Sequence, residues 1–374
     1  MATPLWATAF SSGTMAIDPA EGLALSVVVP VRDGAEFLPR CLTALRASDL
    51  PPDSWELIVV DDGSRDGSAD IAAGHADRVV RLPAPGGGAP VARNRGTEVA
   101  RAPVIVFVDA DVCVHGDALR RIRDLLHEEE GISAVFGAYD VTPAAPSLVS
   151  QYRNLLHSYV HRRDAGEAVT FWTGLGAIRR QVLEGCGGFD QRERLDDVEL
   201  GYRISALGHR IVLNPDIQGT HLKRWTLSSV ITTDIVYRGV PWVRLLLRGR
   251  RPPGRATLNV RVAEQVLTGL TGVALASLVV GLALGHVGWL TGSGLAVSAV
   301  IAGDWRFVRW LATRRGWLFA VSVMPLRLLY FGLNVVAVGL ALVPVSWRRR
   351  ESLPNSVHPG GWVATAVPRG PEAP

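Results

Sequence analysis

Residues 265 to 303 contain no Asp, Glu, Lys or Arg. No other feature limits the fold as sharply. A bilayer-spanning helix needs about 20 apolar residues, and this run has room for two, turning between His286 and Gly294. A third apolar run covers 317 to 346 and is broken only by Arg327. Between them DWRFVRWLATRRG (304–316) mixes Trp, Phe and Arg in the manner of a helix lying in a membrane interface. A buried pair of core helices is the alternative, and the length of the charge-free run speaks against it. The flank RLLLRGRRPPGRATLNVR (244–261) is strongly basic, so by the positive-inside tendency it faces the cytoplasm together with the domain before it. The expectation is a multi-pass protein of the cell membrane with two or three spans. If 317–346 crosses once, the basic WRRR at 347–350 ends outside, against the same tendency; a re-entrant or partly interfacial course avoids that.

Before residue 260 the pattern is that of a water-soluble domain. LSVVVP (25–30), ELIVV (56–60), RVVRL (78–82) and APVIVFV (102–108) are short apolar runs suited to buried strands. EFLPRCLTALRA, GSADIAAGHA and VARNRGTEVARA between them carry helical patterning. Strand and helix in series predict an α/β fold, a mostly parallel sheet flanked by helices. Ligands of such sheets bind beyond the carboxyl ends of the strands. Expected boundaries are a tail over 1–22 without the pattern of a signal peptide, an α/β domain over 23–245, a basic linker over 246–262, membrane or interfacial helices over 263–346, and a second tail over 347–374. The three cysteines, Cys41, Cys113 and Cys186, are odd in number and far apart, which offers neither a disulfide framework nor a zinc spacing. The net charge is only +4, and no basic tail or aromatic-studded basic stripe is present, so nucleic acid is not an expected partner.

Both acidic clusters of the first half follow apolar runs. In IVVDDGSRDGS (58–68) a strand delivers Asp61 and Asp62 to a Gly-Ser turn. These acids either cap the next helix or accept hydrogen bonds from a nucleobase or ribose. In IVFVDADVCV (105–114) Asp109 and Asp111 are two residues apart, so on an extended chain they share one face. Two oxygen ligands on one face suit Mg²⁺ or Mn²⁺, with phosphates completing the shell. The alternative is a strand end whose acids cap the following turn. PAPGGGAPVARNRG (83–96) places three glycines before a helix expected to open at Arg93, Asn94 and Arg95. It is neither a Walker loop nor a dinucleotide fingerprint. Its glycines would let a ligand approach the backbone, and its helix start and arginines would offset phosphate. RLDDVELGYRI (194–204) reads as a helix with a surface ion pair from Glu199 to Arg203. Asp196 or Asp197 serves there as a helix-start acid or as a general base. His221, in THLKRW, reads as structural or as part of a lid over a diphosphate.

Taken in order, LSVVVPVRD, IVVDDGSRDGS, ARNRG, VFVDADV, FWTGLGAIRR with GCGGFD, and LDDVELGYR resemble the family 2 glycosyltransferases of the GT-A fold, over about residues 23 to 225. The resemblance implies a UDP- or GDP-sugar donor, a divalent metal, and inversion at the anomeric carbon. It matches Pro30, Val31 and Asp61 or Asp62 to nucleoside-contacting positions and Arg95 to a basic position near the diphosphate. Asp109 and Asp111 match the metal-binding acidic triplet, with Asp111 as the direct ligand. Asp197 matches the catalytic base, and Asp196 stands where Glu is usual. Trp172, Gly174 and Gly188 fall in the stretch bordering sugar and acceptor. HLKRW is only loosely similar to the Gln-x-x-Arg-Trp of processive members. It adds His221 as a candidate metal ligand and Arg224 and Trp225 to the acceptor side, and its His in place of Gln argues against a polymerase. The expected acceptor is a lipid-linked or glycan hydroxyl at the membrane. The alternatives are a polyprenyl-phosphate sugar synthase and a non-catalytic sugar-nucleotide sensor.

Overall fold

The computed structural model describes residues 22–248 and 261–343. The expected tail over 1–22 (Gly22 apart), most of the linker over 246–262, and the tail over 347–374 lie outside the described residues.

Among the described residues nine strands form one sheet: β1 (Leu25–Val31), β2 (Trp55–Asp61), β3 (Arg78–Arg81), β4 (Val104–Val108), β5 (Val112–Val114), β6 (Ile132–Tyr139), β7 (Gly166–Ala168), β8 (Leu175–Arg179) and β9 (Arg210–His221). Their order is β3-β2-β1-β4-β8-β6-β9-β5, with β7 paired to β9. β1 to β4 pair in parallel. Beyond them the sheet is mixed: β8 runs antiparallel to β4 and β6, and β9 is parallel to β6 but antiparallel to β5 and β7. β2, β4 and β6 are buried at every position, as strands covered on both faces must be.

The helices of this part are α1 (Leu38–Arg46), α2 (Ser68–Ala73), α3 (Ala89–Val99), α4 (Ala118–Glu128), α5 (Leu148–Arg163), α6 (Arg180–Gly185), α7 (Asp196–Ala206), α8 (Leu227–Thr232) and α9 (Val240–Leu247), with a π-helical turn at Thr233–Gly239 joining the last two. α3 begins at Ala89, four residues before Arg93, so the arginines lie within the helix rather than at its start. It packs tightly on the sheet because residue 96 is glycine. A Cβ there would come within 2.3 Å of Val28 Cγ1. The Glu199 to Arg203 pair forms on α7, but Glu199 is buried, so it is a packing contact and not the surface pair expected.

The apolar half folds as α10 (Val262–Leu284), α11 (Val287–Gly303), α12 (Trp305–Arg315), α13 (Trp317–Ser322) and α14 (Met324–Leu342). Two segments, Val262–Leu284 and Trp317–Leu342, are long and apolar enough to cross a membrane. α11 and α12 join at a 58° bend and make a third candidate only as a pair. α12 rests on the first domain, with Phe307 and Trp310 against Tyr159 of α5 at 5.0 and 5.3 Å. α14 runs alongside α10: Arg327 faces Glu264, and Val335 lies beside Gly272.

Arg327, which interrupts the third apolar run, is 2% exposed. Its Nε and one terminal nitrogen reach Asp304 at 2.7 and 3.0 Å, and Glu264 lies at 3.3 Å. Glu264 also receives Arg163 of α5 at 2.9 Å. A buried charge is tolerated only when paired in this way. Arg327→Met leaves Asp304 without its cation and is expected to cost about 3–5 kcal/mol, read as a lower thermal unfolding midpoint in detergent. Adding Asp304→Asn should restore a large part of the loss.

Candidate active site

The parallel strands end together. Val31 pairs in register with Asp61, and the β4 strand ends one residue before Asp109. Above these ends lies a cavity of about 560 Å³. Pro30, Val31, Asp62, Arg93, Asp109 and Asp111 line it. Arg32, Phe37 and Lys223, none singled out from the sequence, also line it.

Asp109-Ala110-Asp111 is a turn and not an extended segment: Val112 N–H donates to the Asp109 carbonyl at 3.0 Å. The two carboxylates therefore meet different partners. Asp109 takes a terminal nitrogen of Arg93 at 3.1 Å, while Asp111 Oδ2 lies 3.3 Å from His221 Nε2. Burial raises the Asp111 carboxyl, but His221 and then Lys223 more than offset this and hold it below the ordinary range.

Asp111 and His221 suit a shared divalent ion. Two ligands at about 2.1 Å from one ion, set at a right angle, stand about 3.0 Å apart, close to the separation seen. Among the described residues no group of three His, Cys, Asp or Glu could hold a metal, so the remaining ligands would have to come from substrate or water.

Arg93 reaches across the site. Its other terminal nitrogen donates to Asp196 at 2.6 Å, and its plane lies over Phe189. The next residue, Asn94, exchanges two hydrogen bonds with the backbone of Phe189, both at 2.9 Å. Gly188 beside it has φ +70°, and a Cβ there would strike Asn94. Arg95 lies outside this arrangement, paired with Glu98 on the exposed face of α3. Residues three apart share a helix face, so the packing of Gly96 turns Arg93 inward and Arg95 outward.

The glycine loop also departs from expectation. Gly87 and Gly88 N–H groups donate to the two oxygens of Asp62 at 2.6 and 2.8 Å. Those amides hold the loop to β2 instead of facing a ligand. Gly86, at φ +81°, has no room for a Cβ against the Asp62 carbonyl. Asp61 is buried and accepts from Ser64 N–H.

The remaining candidates, Trp172, Gly174, Gly188, Asp196, Asp197, Arg224 and Trp225, do not line the cavity itself. Gly174 gives its carbonyl to Asp109 N–H at 3.3 Å and leaves space for the Trp172 ring. Trp172 packs edge-on against Tyr139 at 4.9 Å. Trp225 is buried beneath Lys223, whose ammonium sits 4.4 Å from its ring. Arg224 points to the outer surface, 3.6 Å from Glu36. Asp197 stands beside Asp196 in the first turn of α7, with one oxygen accepting from Val198 N–H. Burial first, and then the neighbouring Asp196 carboxylate, push Asp197 up to about 6.

A curled mixed sheet flanked by helices, with acidic strand ends facing one cavity, is the architecture of the GT-A glycosyltransferases. The mannosyltransferase PcManGT from Pyrobaculum calidifontis, solved with GDP-Man and Mn²⁺, shares this fold at a TM-score of 0.52 and 20% identity, over 86% of this chain and 89% of that one. Residues 26–187 match the family described as Glycosyl transferase family 2. An uncharacterized glycosyltransferase of Mycobacterium tuberculosis is 30% identical over 193 residues, which are 51% of this chain and 83% of that protein. Glycosyltransferase AglE of Haloferax volcanii is 25% identical over 210 residues, 54% of this chain and 67% of that protein. The chain belongs to glycosyl transferase family 2 and is a glycosyltransferase, which sets the sensor reading aside.

The raised Asp197 has a signed consequence. The folded state holds its proton up to about pH 6, against an ordinary value of 3.8. Folding stability therefore falls as pH rises through that window. Asp197→Asn should remove this part of the slope in chemical denaturation followed between pH 4 and 7.

Proposed function

We propose that this glycosyltransferase moves a sugar, with inversion, from a UDP- or GDP-sugar to a hydroxyl of a lipid-linked or glycan acceptor at the membrane. The supporting observation is a cavity lined by Asp109, Asp111, Arg93 and Lys223 together, with the elevated carboxyl of Asp197 on the adjoining helix. The proposed catalytic domain spans 23–245 and faces the cytoplasm. Residues 263–346 supply the membrane anchor.

In this reading Pro30, Val31 and Asp62 receive the nucleoside. Asp111 and His221 hold Mg²⁺ or Mn²⁺, which when bound stabilises charge on the leaving diphosphate. Lys223 and Arg32 supply further positive charge at the cavity wall. Arg93 is already committed to Asp109 and Asp196, so it orders the site instead of clamping phosphate. The acceptor approaches from the face opposite the diphosphate, between Trp172, Gly174 and Gly188, and Asp197 removes its proton. A base poised near neutrality suits that task. An already ionised phosphate acceptor would not need it, and the lift on Asp197 therefore favours a hydroxyl.

The test is a donor screen: the full chain in membranes, a panel of UDP- and GDP-sugars with Mn²⁺, and mass analysis of labelled lipid. Asp197→Asn should lower kcat by roughly 100- to 10,000-fold while donor affinity stays unchanged, and the acid limb near pH 6 in kcat/KM should vanish. Near-normal turnover in that variant would instead point to a polyprenyl-phosphate acceptor. Asp109→Asn with Asp111→Asn should weaken Mn²⁺-dependent donor binding by at least roughly tenfold, measured by calorimetry. Unchanged affinity would overturn the site.

A further inference from the structure

The His221 ring is held from three directions. Nδ1 lies 2.7 Å from Asn154 Oδ1. Tyr139 stacks on one face at 4.3 Å, with the planes 7° apart. Nε2 points at Asp111. Asn154 is 2% exposed and belongs to α5, which has little freedom to slide. One turn earlier on α5, the Ser150 hydroxyl accepts from Trp225 N–H and donates to its carbonyl. Next to Asn154, Arg153 makes a two-pronged pair with Asp234 of the π-helical turn at 2.5 and 3.0 Å.

In a neutral imidazole one nitrogen carries the proton and the other the lone pair, and the partner of one decides the state of the other. An amide oxygen only accepts. We propose that Asn154 is a positioning residue whose Oδ1 holds the His221 proton on Nδ1 once a divalent cation takes the place of the Nε2–H contact with Asp111, so that the Nε2 lone pair faces the cation. This rests on the proposed ion site at Asp111 and His221. The reversed amide would place its NH₂ against Nδ1, drive the proton to Nε2, and aim an N–H at the place of the cation. Asn154 Nδ2 has no partner among the described residues, so no competing contact among them pulls the amide round. Partners of this kind are worth roughly 10- to 100-fold in metal affinity.

The experiment is a Mn²⁺ titration by electron paramagnetic resonance on the full chain, with UDP or GDP present, for wild type, Asp111→Asn, Asn154→Leu and Asn154→Asp. Asp111→Asn is expected to lose affinity. Asn154→Leu should lose roughly 10- to 100-fold, and Asn154→Asp, which keeps an acceptor oxygen, should stay close to wild type. Nitrogen-15 NMR of histidine-labelled wild type reads the tautomer directly, with the signal assigned by its absence in His221→Ala. With Mg²⁺ and UDP or GDP present, the Nδ1–H form is expected. Since that measurement leaves residue 154 unaltered, it decides the matter even where Asn154→Leu fails to fold. An Nε2–H form overturns the role of Asn154, as does unchanged affinity in Asn154→Leu beside a loss in Asp111→Asn. No loss in Asp111→Asn overturns the ion site itself, so the two failures are distinct.

Discussion

One buried guanidinium joins the two sides of the site. Arg93 binds Asp109 at the end of β4 and Asp196 at the start of α7. Asp196 is buried, and the ion pair with Arg93 offsets what an unpaired buried charge would cost. Arg93 is itself placed by its neighbours on α3. Gly96 brings the helix onto the sheet, and Asn94 fastens the loop at Gly188 and Phe189 that leads toward α7. Little more than one turn of helix thus sets the separation between the acidic turn and the proposed base.

Much of this was legible in the sequence, and the gaps have physical causes. β1, β2 and β4 are covered on both faces and so read as unbroken apolar runs, with acids at their ends. The second half of the sheet depends on pairings such as β4 with β8 and β6 with β9, between segments far apart in the chain. No local pattern encodes those partners. The family motif pointed to Arg95, whereas helical phase selects Arg93; the signal was Gly96, a residue without a side chain three positions on. The glycine loop reads as open to a ligand in the sequence, which cannot reveal that Asp62 takes its amides. α5 carries no apolar stripe to mark it in the sequence, because it is buried on several sides.

α5 nevertheless connects the most distant parts of the molecule. Asn154 touches His221, Arg153 holds the π-helical turn, Tyr159 meets α12, and Arg163 reaches Glu264 on α10. Glu264 and Asp304 then share Arg327 within otherwise apolar helices. Ionisable groups in such surroundings persist only with partners, and here the partners belong to different segments. The apolar half is therefore fastened to the catalytic half by charge as well as by packing.

Lys223 is the only lysine in the sequence, and it stands at the cavity beside Asp111. Every other basic side chain apart from histidine is a guanidinium, which acylating reagents leave alone. An amine-selective label thus has a single side chain to find, in the lining of the pocket. The molecule carries its own reporter of occupancy there, and no engineered residue is needed to install one.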